Sequence, residues 1–210
     1  MTDDLVFYTH PMSRGRTVRW MLEEVGVPYR TVLLEYGTTM KAPDYLAINP
    51  MGKVPAIRHG DTVVTESAAI CAYLADAFPD AGLAPPHGDR LRGPYYRWMF
   101  FGAGPVEAAV TNKALNFVVP EGRERMAGYG SFADVLNGLE TAVSGGEYLT
   151  GDRFTAADVY LGSAIGFGMM FGGIEKRPSF ERYWARISAR PAAIRAREID
   201  DALIPKPPQP

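Results

Sequence analysis

The chain has 210 residues, 47% hydrophobic and 22% charged, which is the composition of a globular protein with room for one large or two small domains. Its formal net charge of −2 and the lack of any Lys/Arg block exclude an electrostatic case for nucleic acid. The single cysteine, Cys71, excludes a disulfide framework, three scattered histidines (His10, His59, His87) offer no metal-ligand spacing, and no apolar run is long enough to span a bilayer.

Met1-Thr2-Asp3-Asp4 is acidic, and no apolar segment follows it that reads as a signal peptide. The expectation is a cytoplasmic protein with no membrane partner, no nucleic-acid partner and no metal. Leu5-Val6-Phe7-Tyr8 reads as a short strand, broken by Thr9-His10-Pro11. From Ser13 the period turns helical, with Val18, Met21, Leu22 and Val25 on one face and Gly26 as the stop. Tyr29 to Leu34 is a second strand, and Met40 to Ile48 is a weaker helix ending before Asn49-Pro50.

The stretch from Asn49 to Ser67 is the most specific in the chain. It reads as loop, strand, tight turn at Gly60-Asp61, β-branched strand at Thr62-Val63-Val64, then a helix opening at Glu66-Ser67. Pro55 cannot donate to a sheet ladder, so it belongs at a strand's start, edge or bulge. X-Pro is also the one common cis peptide. A cis Val54-Pro55 bond turns the Val54 backbone outward, whereas a trans bond simply begins an edge strand.

From Phe78 to Pro94 prolines and glycines cluster into a stiff linker, and no strand pattern follows it. Tyr95 to Val118 reads as a helix that Gly102-Ala103-Gly104-Pro105 kinks or breaks. Helical stripes follow at Phe132 to Val143, at Ala156 to Phe171 and at Phe180 to Ile187. A short helix starts at Pro191, and a loose Pro-rich tail runs from Ile204. Thr155 with Asp158 three residues on is a capping-box pattern, assigned to stability.

Asn49-Pro50-Met51-Gly52-Lys53-Val54-Pro55-Ala56, followed by a hairpin and Glu66-Ser67, resembles the glutathione S-transferase family. Glu23-Glu24-Val25-Gly26-Val27-Pro28-Tyr29 and Gly151 to Asp158 resemble it too. Ser13-Arg14-Gly15-Arg16 is similar to the serine-type, bacterial-like cytosolic members. The resemblance implies an α/β plus all-α protein. Residues 1–78 would be a thioredoxin-like glutathione-binding domain, 79–94 a linker, and 95–210 an all-helical bundle lining a second-substrate pocket.

It also implies roles for residues. The backbone of Val54, before Pro55, would pair with the cysteinyl part of glutathione like an added strand. Ser67, near a helix start, would hold the γ-glutamyl carboxylate, and Glu66 would accept from the ligand amine. Lys53 would pair with the glycyl carboxylate or remain a solvated loop lysine. Ser13 would donate to the thiol, whose free pKa of about 8.5 leaves little thiolate at neutral pH. The plainer alternative for Ser13 is a helix cap, and Tyr8 is the rival donor. Cys71 reads as core. Met12, Tyr96, Met99, Phe100 and Met169 are the candidate lining for a second substrate between the domains.

The implied activity is conjugation of the glutathione thiolate, glutathione being the co-substrate, to an electrophilic and largely apolar small molecule, a detoxification chemistry. Glutathione-dependent isomerisation, dehalogenation or peroxide reduction on the same scaffold is the alternative, as is a non-catalytic binding protein. Small residues Ala68, Ala69, Ala72 and Ala75 on the Glu66 helix, together with the resemblance, lead us to expect a homodimer.

Overall fold

A computed structural model describes residues 4–205, so the tail read from Ile204 lies mostly outside the described residues. The elements are β1 (Leu5–Thr9), α1 (Gly15–Val25), β2 (Arg30–Leu33), α2 (Pro43–Leu46), β3 (Ala56–His59), β4 (Thr62–Thr65), α3 (Ser67–Ala77), α4 (Arg92–Phe101), α5 (Glu107–Ala114), α6 (Phe132–Ser144), α7 (Ala156–Met170), α8 (Pro178–Ser188) and α9 (Pro191–Ala202). They form two compact units. One spans the chain up to Ala81 together with the chain from Arg190 onward, and the other is Gly82–Ala189.

In the first unit the sheet order is β2-β1-β3-β4, with β1 parallel to β2 and antiparallel to β3, and β3 antiparallel to β4. This is the thioredoxin-like arrangement. All of β1 is buried, as a central strand covered on both faces requires. On one face α1 and α3 pack together, with Val18, Met21, Leu22, Ile70, Cys71 and Leu74 wholly buried. Each such aliphatic side chain contributes roughly 1.5–3 kcal/mol. Burial pushes the Cys71 thiol up, so it stays protonated and serves as a small core residue. The other face buries Val6, Tyr8, Leu34, Met40, Tyr45 and Ala56, with Val32, Ile48 and Val54 against them.

Three readings of the sequence change here. The helix expected over Met40 to Ile48 is a 3-10 turn at Thr39–Lys41 followed by the single turn of α2. Pro43 is the reason: it forces Ala42 to an extended ψ of 149° and restarts the helix at its own first position. The break expected at Gly102–Pro105 is a wide π-type turn, Gly102–Val106, that carries the axis from α4 into α5. The missing N–H of Pro105 is absorbed by widening rather than by stopping the helix.

The third change concerns the last helix. Residues 191–202, placed by the sequence with the helical bundle, belong to the sheet unit, where α9 lies along α1. Arg19, 1% exposed, is the reason: its Nε donates to Asp200 Oδ1 at 2.9 Å and its Nη1 to Thr31 Oγ1 at 2.9 Å and Tyr29 Oη at 3.2 Å. Its guanidinium also lies 5.0 Å from the Phe7 ring centre. A buried arginine needs such partners. Arg190 and Glu24 add a two-pronged ion pair at 2.7 and 2.8 Å. Part of the expected linker is likewise fixed, since Leu83 is buried and its carbonyl accepts from Ala156 N–H at 2.8 Å in the helical unit.

The helical unit is built around α7, which is buried along most of its length. Gly162 faces Ile187 and Tyr183, and Gly166 faces the Trp184 ring, so α8 approaches closer than a Cβ would allow. At the start of α7 the buried Asp158 carboxylate accepts from four donors: Leu149 N–H (2.8 Å), Tyr183 O–H (2.8 Å), Thr155 N–H (2.8 Å) and the Thr155 hydroxyl (3.0 Å). Burial pushes its carboxyl up, and these donors pull it back toward the charged form. The capping pattern thus joins α7, α8 and the preceding loop. Asp158→Ala strands several buried donors, and the expected loss is roughly 3–5 kcal/mol of stability. Urea unfolding of the variant checks this; an unmoved midpoint contradicts it.

Candidate glutathione site

The loop before β3 is fixed from the core outward. The Lys53 carbonyl accepts from the Tyr45 hydroxyl at 2.6 Å and from Asn49 Nδ2 at 2.8 Å, while Asn49 Oδ1 takes Met51 N–H at 3.1 Å. Burial raises the Tyr45 phenol to about 12, so it remains a donor. Gly52, at φ +54°, lies so close to α2's approach that a Cβ would meet the Met40 carbonyl at 2.5 Å. Val54-Pro55 follows as a cis peptide, and the ladder begins only at Ala56, paired with Tyr8 and Thr65. Among the described residues the Val54 N–H and C=O have no hydrogen-bond partner. Lys53 is exposed beside them.

The chain then runs through the hairpin to α3. Glu66 precedes that helix at φ +66°, a left-handed value for a residue with a Cβ. Such a conformation costs of order 1–3 kcal/mol and gathers at ligand sites. No side chain caps α3, and the first intrahelical bond is Ile70 N–H to the Glu66 carbonyl at 2.9 Å. The amides of Ser67, Ala68 and Ala69 therefore face out at the positive end of the helix. A carboxylate is the natural partner for that end.

Ser13 lies on the turn between β1 and α1. Its hydroxyl donates to the His10 carbonyl at 2.7 Å and accepts from Gly15 N–H at 2.9 Å. It fills the cap role, and its only proton points at His10. To reach a thiolate it must rotate off that carbonyl. A Cβ on Gly15 would meet Thr9 Oγ1 at 1.9 Å, so only glycine lets α1 start this close to β1. Tyr8 is 8% exposed and packs on Tyr45, ring centres 5.7 Å apart, within the apolar cluster.

The second-substrate candidates separate by helix face. Tyr95, Trp98 and Met99 on α4 are buried, whereas Tyr96 and Phe100 face solvent at 41% and 71% exposure. Met169 is buried in α7, so it and Met99 are core of the helical unit. Met12 is exposed on the Ser13 turn. A separate cleft of about 240 Å³ in the helical unit is lined by Val143, Ser144, Gly146, Ser179, Arg182, Tyr183 and Arg186 and holds none of the candidates. Arg186 on this cleft donates to the Glu147 carbonyl at 2.6 Å, in the loop after α6. Among the described residues no His/Cys/Asp/Glu group has the spacing of a metal site, and no helix is long and apolar enough to cross a membrane.

The family model for the glutathione S-transferase N-terminal domain matches residues 12–77, and that for the C-terminal domain matches 114–191. Glutathione S-transferase 3 of Zea mays is 28% identical over 98% of this chain and 97% of its own length. A glutathione transferase of Methylococcus capsulatus is 30% identical, with a TM-score of 0.79 over 94% of this chain and 99% of that one. The chain belongs to the glutathione S-transferase family. A further structural relative, from Phanerochaete chrysosporium, is 26% identical with a TM-score of 0.78 over 96% of this chain and 98% of that one. Its structure was solved in complex with oxidized glutathione.

Within this glutathione transferase the N-terminal family match takes in Ser13, Lys53, Val54, Pro55, Glu66 and Ser67 but begins after Tyr8. Tyr96, Met99 and Phe100 fall between the two matches. The structure brings Val54, Pro55 and Lys53 together on one loop, and the β3–β4 hairpin carries the chain directly from it to Glu66 and Ser67. Sequence reasoning missed three supports. Tyr45 and Asn49 act through a carbonyl, which leaves no pattern beyond the Asn-Pro-x-Gly motif itself. Lys41 donates to the Met51 carbonyl at 2.8 Å, placing a second ammonium beside Lys53's loop; its only signal was its charge.

Gly52→Ala forces a side chain against the Met40 carbonyl at a left-handed φ. The expected result is a weaker hold on immobilised glutathione, about tenfold or more, together with roughly 1–3 kcal/mol of lost stability. Affinity chromatography and thermal unfolding of the variant check both; wild-type retention contradicts the placement of this loop in the site.

Proposed function

We propose that this glutathione transferase binds glutathione along the Val54 backbone, with Glu66 and Ser67 at the γ-glutamyl end and Lys53 at the glycyl end. It adds the thiolate to an electrophilic, largely apolar small molecule. The observation that carries the reading is the uncapped start of α3 behind Glu66 at φ +66°, joined by one hairpin to the unpaired Val54 backbone. An extended peptide with a carboxylate needs a backbone edge and a positive helix end, and both stand on consecutive segments. The bound oxidized glutathione of the Phanerochaete relative supports the same choice of ligand. Lys41 is a second candidate for the glycyl carboxylate, since its amine reaches the Met51 carbonyl.

The mechanism assigned to this chain is serine-type. Ser13 rotates from the His10 carbonyl to the ligand thiol and donates to it, favouring the thiolate at neutral pH. Tyr8 is set aside because its ring is packed into the core against Tyr45. For the electrophile, the solvent-facing Tyr96 and Phe100 and the exposed Met12 are the apolar candidates. A homodimer is proposed through the exposed Ala69 and half-buried Ala68 and Ala72 of α3; Ala75 is buried within its own unit and takes no part. The setting proposed is cytoplasmic.

Ser13→Ala decides the mechanism. A charge-assisted hydrogen bond is worth roughly 1.5–3 kcal/mol, so turnover at neutral pH is expected to fall about ten- to a hundredfold, with the pKa of the bound thiol raised. Loss of the Gly15 cap adds about 1 kcal/mol of destabilisation. Ultraviolet titration of bound thiolate in both proteins, with conjugation of a generic aryl halide, gives the readout. A wild-type thiol pKa in the variant refutes the serine assignment.

A further inference from the structure

We propose that Asp201 is a positioning residue for the thiolate site, acting through Arg16 on the turn that carries Ser13. The inference rests on the Ser13 reading above. Arg16 sits one residue into α1. Its Nε donates to the Pro11 carbonyl at 2.6 Å, and its Nη2 donates to Asp201 Oδ1 at 2.5 Å. One planar guanidinium therefore ties the turn between β1 and α1 to the far end of the chain.

Pro11 lies two residues before Ser13, and its own ring fixes φ. Fixing its carbonyl as well fixes the Pro11–Met12 peptide plane, from which the chain enters Ser13. The Arg16 side chain is 22% exposed and Asp201 56%, so the pair is partly shielded rather than fully screened. One turn deeper, Arg19 and Asp200 bond at 2.9 Å with both side chains 2% exposed or less. That buried pair sets the register of α9 on α1, and Asp201 follows from it. A guanidinium is required because its fork directs two donors in fixed directions, which an ammonium does not. The second brace on the turn is His10, whose Nδ1 accepts from Met12 N–H at 3.1 Å while its Nε2 lies 3.6 Å from Glu35. The Pro11 carbonyl is held by Arg16.

The experiment compares wild type, Asp201→Ala, Asp201→Glu and Ser13→Ala, with Arg195→Ala as the control. Arg195 bonds Glu23 at 3.3 Å and so anchors α9 without touching the turn. Each protein is titrated for the thiolate of bound glutathione and assayed with an aryl halide. Asp201→Ala is expected to raise the bound thiol pKa by about half a unit to one unit. Turnover at neutral pH then falls about three- to tenfold, with the KM for glutathione changed less than about twofold. Asp201→Glu restores most of the turnover. Arg195→Ala lowers Tm while leaving the thiol pKa at the wild-type value. Asp201→Ala with wild-type pKa and turnover overturns the proposal, as does a matching pKa rise in Arg195→Ala. A wild-type pKa in Ser13→Ala overturns the serine reading instead, whatever the Asp201 variants do.

Discussion

Two donors on one carbonyl hold the loop before β3 in place. Lys53 C=O is gripped by Tyr45, whose ring belongs to the apolar cluster, and by Asn49, which also turns the chain at Met51. With that oxygen pinned, Pro55 enters the sheet at a fixed point and Val54 is left outside the ladder. The geometry of recognition is thus inherited from hydrophobic packing on the Tyr8–Tyr45 face. A loop resting only on solvent-exposed bonds would open far more readily. The site proposed here is largely backbone: an unpaired strand segment and an uncapped helix end.

How much of this could be read from the letters varied with the distance over which each cause acts. Pro55, Gly60-Asp61 and Glu66-Ser67 announce themselves because proline, glycine and a helix start constrain their own neighbourhood. The hairpin and the start of α3 accordingly fall where the pattern put them. The turn at Ala42-Pro43 has an equally local cause, but a weak apolar period over Met40 to Ile48 concealed it. Met99 and Tyr96 differ only by their angle around α4, and the aromatic density of Tyr95 to Phe101 offers no clean face to read.

The placement of α9 was beyond local reading. Its anchor, Asp200, meets Arg19 across 181 residues of sequence, and nothing near either residue names the other. An aspartate pair in a charged helix looks like a solvated face. Ser13 shows a different limit. Its residue type suits both a helix cap and a thiol donor, and the structure shows the cap bonds with the proton directed at His10. The sequence could name the atom but not its resting partner.

The return of the last helix to the sheet unit bears on how the chain is made. Ribosomes emit roughly 5–20 residues per second, so Arg19 leaves the exit tunnel on the order of ten to forty seconds before Asp200. Throughout that interval the guanidinium has no carboxylate to follow it into the interior, and a buried unpaired charge is strongly disfavoured. The helical unit, Gly82–Ala189, has no such wait, since its contacts close within one continuous stretch. Sealing of the sheet unit around Arg19 therefore waits on a residue 181 positions further along the chain.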